Sequence, residues 1–256
     1  MKVIEKVKNF YKKFPLKKCV IGHSVLGQEI YALTVEKTPF PTIIVQYSIH
    51  AREYLTAYLS LKQIIHFIKN GRRGTVHFIP LANPDGVLLA LSKNPLYKAN
   101  GQGVDLNVNF NARWGEGAKN VFVPSIENYV GEHPFSAPET RALRDFTLKI
   151  MPNATISYHT KGEEIYWYFS QDEKTAERDY KIAKKLSNKT GYPLVLTPNS
   201  AGGYKDWCIQ ELKIPSFTIE VGRDSLSHPL GAERVGEVFR KNKRVIDTLL
   251  ESIKCN

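Results

Sequence analysis

His50 and Glu53 are separated by two residues in Ser-Ile-His-Ala-Arg-Glu-Tyr, where an apolar β-type run (Thr42 to Tyr47) gives way to a helix-like stretch (Tyr54 to Lys69). An imidazole and a carboxylate within one turn of each other can converge on a single metal ion. His159 follows a second β-type run, Ala154 to Ser157, and could bring another imidazole to the same sheet edge. Two His and one Glu form the ligand set of a catalytic zinc whose fourth position stays open for water, which makes His50, Glu53 and His159 the metal candidates, one ion per chain. Alone, the His50/Glu53 pair is weak evidence: a His beside a Glu at a helix start is more often a solvated pair.

The elements that must position these groups read as an alternation. Strand-like runs cover Glu29 to Val35, Thr42 to Tyr47, Thr75 to Pro80, Ala154 to His159, Glu164 to Phe169, Pro193 to Leu196 and Ser216 to Val221. Helix-like segments cover Tyr54 to Lys69, Ser136 to Lys149, Asp172 to Thr190 and Gly231 to Ser252. Mostly apolar strands alternating with helices imply an α/β fold: one three-layer domain spanning residues 1–256, with a central mixed, mostly parallel sheet and helices on both faces. In such sheets the ligand sits beyond the carboxyl ends of the strands. His50, His159 and Glu220 all lie at or just past strand ends. The long Asn/Gly/Pro-rich region from Asn83 to Val130 reads as a functional loop.

Bulk properties exclude several classes. Hydrophobic residues at 42% and charged residues at 24% are ordinary globular values for 256 residues. The net charge of +11 is not ordinary and favours an anionic partner. Its Lys and Arg are scattered, without the basic blocks of a nucleic-acid arm, so no nucleic acid is expected. Cys19, Cys208 and Cys255 are odd in number and lack metal-type spacing, which favours a reducing compartment over a disulfide framework. The stretch Met1 to Lys18 is Lys-rich and amphipathic, with Val3, Ile4, Val7, Phe10 and Tyr11 at helical spacing, and lacks the apolar core of a signal peptide. No apolar run approaches the ~20 residues that span a bilayer. A cytoplasmic protein of undetermined oligomeric state is expected.

Four more segments carry polar groups where chemistry would use them. They are Asn83-Pro-Asp-Gly86, Gly103-Val-Asp-Leu-Asn107, the Gly202-Gly203 turn of Ser200-Ala-Gly-Gly-Tyr-Lys-Asp-Trp207, and Phe217-Thr-Ile-Glu220, which puts a carboxylate at the end of an apolar strand. In their order and spacing, together with His50-x-x-Glu53 and His159, these segments resemble the zinc carboxypeptidases, the carboxypeptidase A-like family, from about His23 to Glu220. The resemblance implies a hydrolase with zinc on His50, Glu53 and His159. It implies Asp105 as the carboxylate that holds the far nitrogen of His50 and fixes its tautomer. Glu220 then matches the general base, taking a proton from the attacking water and delivering it to the leaving amine. Arg52 and Asn107 match substrate-binding positions, and Lys98 lies nearest the expected place of the oxyanion-stabilising cation.

Two departures narrow the activity. Val108 occupies the position where the family's carboxypeptidases carry an Arg that clamps the terminal carboxylate of the substrate. Pro198 sits near the place of the substrate-gripping Tyr, for which Tyr204 is the available stand-in. Residues 107–115, 157–167 and 200–207 resemble the γ-D-glutamyl-meso-diaminopimelate peptidases, which cut bacterial cell-wall peptides. Such a substrate carries several carboxylates, for which Arg113, Lys161 and Arg223 are candidate partners, and an ammonium, for which Glu163 or Glu164 is. The expected function is therefore zinc-dependent hydrolysis of a small anionic murein peptide. The alternatives are an ordinary metallocarboxypeptidase or deglutamylase on the same site, and a zinc-bound peptide sensor without turnover.

Overall fold

The β-branched runs of the sequence form the middle of one eight-stranded sheet in the computed structural model, which describes residues 2–253. Met1 and Cys255, both named above, lie outside the described residues. The strands are β1 (Lys17–His23), β2 (Glu29–Glu36), β3 (Thr42–Tyr47), β4 (Thr75–Ile79), β5 (Ala154–His159), β6 (Glu164–Tyr166), β7 (Leu194–Val195) and β8 (Ser216–Glu220), in the spatial order β1-β2-β4-β3-β5-β8-β6-β7. The four central strands β4, β3, β5 and β8 are parallel, β2 and β6 join them antiparallel, and the sheet is mixed, as expected.

Burial on both faces explains the near-continuous apolar strands. Along β3, Ile43, Val45 and Tyr47 enter one core cluster while Ile44 enters the other. The first cluster is completed by α1 (Lys2–Lys13), α2 (Leu55–Asn70), α5 (Glu173–Thr190), α7 (Val235–Asn242) and α8 (Val245–Ser252). The second is completed by α4 (Pro138–Ile150), α6 (Tyr204–Leu212) and the 99–137 region. Each Ile or Val fully buried in this way contributes roughly 1.5–3 kcal/mol. The apolar stripe of α1 (Val3, Ile4, Val7, Phe10 and Tyr11) is buried, which is where its helical spacing leads.

The elements differ from the sequence-based expectation in three places. Strand β1 was not expected: Lys17-Lys-Cys-Val is an exposed edge with no apolar alternation, held by its pairing to β2. Asn83-Pro-Asp-Gly86 is not merely a turn but opens α3 (Pro84–Ser92), with Asn83 Oδ1 accepting from Gly86 N and Pro84 in the first turn. The segment Gly231 to Ser252 is two helices, α7 and α8, broken at Lys243–Arg244.

The topology fixes the site. From β3 the chain crosses through α2 to β4 on one side, whereas β5 pairs with β8 on the other, so the order reverses between β3 and β5. A crevice at the carboxyl ends follows. His159 is the last residue of β5 and is paired with Glu220, the last of β8, and His50 follows the end of β3. The loop carrying Asn107 packs against the turn before α6, where Gly202 has φ +80° and a Cβ would lie 2.7 Å from Val108 O.

Gly202→Ala is therefore expected to cost about 2–4 kcal/mol through its left-handed backbone and the clash. Gly191→Ala, with a similar φ of +77° but nothing within 4 Å, is expected to cost only about 1 kcal/mol. Thermal unfolding of the two variants checks this, at roughly 2–4 °C per kcal/mol for a chain of this size. Equal shifts in Tm would show that the approach of the two loops is not tight.

Candidate metal centre and its cavity

The backbone around His50 is held from two directions. Asn83 Nδ2 donates to Ile49 O (3.0 Å) and to Ala99 O (3.1 Å), while Ala51 N donates to Lys98 O (3.0 Å). The Asn83-Pro-Asp-Gly86 segment thus serves the site by fixing the residues on either side of the imidazole. A single turn of 3-10 helix, Ala51–Glu53, then brings Glu53 back under His50. His159 is fixed at the other side by its strand, and its Nε2 lies 3.2 Å from Ser157 Oγ, which also accepts from Gln46 Nε2.

Three buried donors converge. His50 Nδ1 lies 2.8 Å from Glu53 Oε1, His159 Nδ1 lies 3.1 Å from Glu53 Oε2, and the two Nδ1 atoms are 3.0 Å apart. A tetrahedral ion with ligands at about 2.0 Å has donor–donor edges of about 3.3 Å, so this triangle needs only slight widening to hold zinc. Among the described residues it is the only cluster of three or more His, Cys, Asp or Glu with that geometry. The residues present fit the metal. Burial would raise the carboxyl of Glu53, but His50 and then His159 hold it well below the usual carboxylate range. Burial and then His50 hold His159 low, in the neutral form a ligand needs.

Asp105 is fully buried behind this triangle. Its Oδ1 is 3.3 Å from His50 Nε2, long and off-line for a hydrogen bond, and accepts from Asn107 N (3.1 Å). Its Oδ2 accepts from Asn128 N (3.0 Å) and pairs with Lys98 Nζ (2.8 Å). Burial disfavours charge on Lys98, yet Asp105 outweighs it and the ammonium is held above its ordinary value. Lys98 therefore stays a cation in the cavity wall.

Glu220 lines a cavity of about 150 Å³ together with His50 and His159, and its buried Oε2 has no hydrogen-bond partner. Burial and then the charge of Glu53 push its carboxyl well up. A dication between the ligands would offset the second contribution. A larger adjoining cavity shares His50, Asn107 and Tyr166 and adds Lys98, Val108 and Lys119. The adjoining cavity, about 520 Å³, falls in the size range of small-ligand sites.

The other expected substrate contacts divide. Asn107 lines both cavities, and its Oδ1 accepts from Tyr204 N (3.1 Å), which fixes the side chain. Arg52 is half-buried, donating to Leu96 O and pairing with Glu127 (3.1 Å). Lys161 pairs with Asp224 (2.8 Å), Glu163 with Lys241 (2.7 Å), and Glu164 accepts from Tyr166 Oη (2.9 Å). Three expectations need correction. Tyr204 is not a substrate residue: it is fully buried against Phe110 and Trp207, with its hydroxyl 2.9 Å from Thr147 Oγ1. Arg113 is exposed, pairs with Glu116 (2.7 Å) and lines a neighbouring small cavity that the metal cluster does not line. Arg223 likewise faces solvent, pairs with Glu237 (3.1 Å) and lines neither cavity beside the metal cluster.

Tyr166 and Lys205 were not singled out from the sequence, yet both line the cavity.

Comparison with known proteins agrees with this geometry. A family model described as zinc carboxypeptidase matches residues 3–240. The chain is 30% identical to γ-D-glutamyl-L-diamino acid endopeptidase 1 of Lysinibacillus sphaericus over 86% of its own length and 64% of that protein. It is 28% identical to carboxypeptidase B of Rattus norvegicus over 79% of its own length and 57% of that protein. It thus spans less than two thirds of either relative. In structure it is similar to bovine thrombin-activatable fibrinolysis inhibitor, with a TM-score of 0.84 at 20% identity over 98% of this chain and 95% of that one. It is also similar to murein-tripeptide amidase MpaA from Escherichia coli O157, with a TM-score of 0.64 at 22% identity over 97% of each chain. At these identities the two structures establish the fold alone.

Glu53→Gln and His159→Ala are expected to abolish stoichiometric zinc, and Asp105→Asn to weaken zinc affinity by roughly 10- to 100-fold with the fold intact. Metal analysis after equilibrium dialysis against a graded chelator, with circular dichroism as the folding control, measures both. Wild-type affinity in Asp105→Asn would remove Asp105 from the metal centre.

Proposed function

Because this chain belongs to the zinc carboxypeptidase family, we propose that it is the peptidase that hydrolyses the γ-D-glutamyl–meso-diaminopimelate bond of bacterial cell-wall peptides. The observation that carries the choice of substrate is Val108. It lines the cavity beside His50 and Asn107 with an aliphatic side chain, where a C-terminal exopeptidase of this family needs an Arg on the terminal carboxylate. The similarity to an endopeptidase named for a γ-D-glutamyl-L-diamino acid bond supports the same reading. So does the basic balance of the chain, which suits a small anionic peptide. We read residues 1–256 as one catalytic domain. Among the described residues Cys19 and Cys208 are free thiols, and we assign the chain to a reducing compartment, the cytoplasm.

Zinc held by His50, Glu53 and His159 supplies Lewis-acid charge for the carbonyl and lowers the pKa of a water toward ~7. The remaining steps belong to side chains. Glu220, buried and unpartnered at Oε2, accepts the proton of the attacking water and later donates it to the leaving amine. Lys98, kept charged by Asp105, offers positive charge to the oxyanion from the wall beside His50. Asn107, immobilised by Tyr204 N, orients the substrate. A sensor without turnover has no use for Glu220, and for that reason we favour the enzyme.

Glu220→Gln is expected to retain zinc while kcat falls by roughly 10²- to 10⁴-fold, and chelation should abolish hydrolysis in the wild type. Products of γ-D-glutamyl-meso-diaminopimelate peptides and of ordinary C-terminal peptides, identified by mass, test the substrate. Cleavage of the ordinary set alone would overturn the substrate assignment, and full activity of Glu220→Gln would overturn the mechanism.

A further inference from the structure

Most arginines of this chain are paired: Arg52, Arg113, Arg144, Arg178, Arg223 and Arg234 each meet an acidic side chain. Arg72, Arg73 and Arg244 have no ion-pair or hydrogen-bond partner among the described residues, and all three line one cavity of about 240 Å³. The cavity lies between the end of α2, the segment leading into β4 and the start of α8. Helix α2 runs 16 residues from Leu55 to Asn70, so this end is roughly 24 Å from the one beside the metal ligands. A cation just past a helix end can serve the helix dipole alone. Here that task is filled by other groups: His66 O accepts from Asn70 Nδ2, Phe67 O from Gly71 N and Ile68 O from Lys37 Nζ. The guanidinium groups are left over. His66 also lines the cavity, and its Nδ1 accepts from Asn70 Nδ2 (3.1 Å), which puts the ring proton on Nε2. That N–H is buried and has no acceptor, beyond the edge-on contact of the ring with Phe239. A buried donor left unfilled is costly.

Two acids, Asp247 and Glu251, line the same cavity, and among the described residues neither is paired. Cations, a ring N–H and carboxylates thus face one space without joining one another. A ligand that satisfies them accepts from several donors and donates to a carboxylate. Hydrogen phosphate does both: its oxygens suit guanidinium forks, and it keeps a P–OH. Sulfate has the same shape and charge but no proton, so the two acids repel it without compensation. We propose that this cavity binds inorganic phosphate, with its oxygens on Arg72, Arg73, Arg244 and His66 and its P–OH donated to Asp247. The site is separate from the metal centre and does not depend on the peptidase reading.

The test titrates inorganic phosphate, sulfate and methyl phosphate into the zinc-loaded protein by calorimetry, at constant ionic strength and about pH 8. At that pH all three are dianions and only phosphate keeps a proton. The wild type should bind phosphate about 10- to 100-fold tighter than either of the others. The double variant Arg73→Gln/Arg244→Gln should lose this binding by about 100-fold, while its peptide hydrolysis and its Tm without added anion stay at the wild-type values. Asp247→Asn should keep anion binding and bring the three affinities to within a few-fold of one another. The ratio of affinities within that variant is its own folding control, since a damaged protein loses all three anions together. A wild type that binds no phosphate, or binds the three anions alike, would overturn the proposal. So would a phosphate preference that survives the double Arg substitution, which would put the anion elsewhere, or one that survives Asp247→Asn.

Discussion

Two imidazole nitrogens held 3.0 Å apart, each within about 3 Å of one buried carboxylate, set the terms for everything around them. Glu53, though buried, is kept ionised by His50 and then His159, and zinc would be held by all three donors at once. The rest of the site can be understood as the means of keeping that triangle in place: Asn83 and Lys98 O hold the backbone on either side of His50, Asp105 lies behind its outer nitrogen, and Gln46 and Ser157 lie beneath His159.

The sheet supplies the accuracy. Strands β3 and β5 are buried along nearly their whole length, so their ends are among the least mobile parts of the chain. His159 and Glu220 end neighbouring strands in register, which sets the two side chains side by side without any loop. The loops do the discriminating work. Val108 and Asn107 come from one, the Gly202-Gly203 turn from another, and the two pack so closely that Gly202 has no room for a side chain. This division between a rigid chemical centre and a variable wall fits a fold shared with proteins of very different sequence.

Much of this was legible from residue order. His50-x-x-Glu53 and the runs ending in His159 and Glu220 were read correctly because apolar strands buried on both faces leave a polar terminus conspicuous. Edge strand β1 was not legible, since its exposed Lys-rich sequence shows no alternation and its partner β2 makes it a strand. Helix α3 was hidden by a turn-like opening that is in fact its cap. The wall of the cavity was the least legible part. Successive residues on a helix point about 100° apart, so at the start of α6 Tyr204 turns into the aromatic core while Lys205 turns to the cavity, and sequence alone does not reveal that phase. Ion pairs such as Arg113–Glu116 and Arg223–Glu237 join residues whose partnership only folding or a local turn reveals.

The chain belongs to the zinc carboxypeptidase family, and the central claim made for it is one ion on three named atoms. Crystals of the zinc-loaded protein, measured on both sides of the zinc absorption edge, test that claim most directly. One anomalous peak per chain is predicted, about 2.0–2.2 Å from His50 Nδ1, His159 Nδ1 and a Glu53 carboxylate oxygen, with its remaining face turned to the cavity. A peak elsewhere, or one closed off by a fourth protein donor, would contradict it.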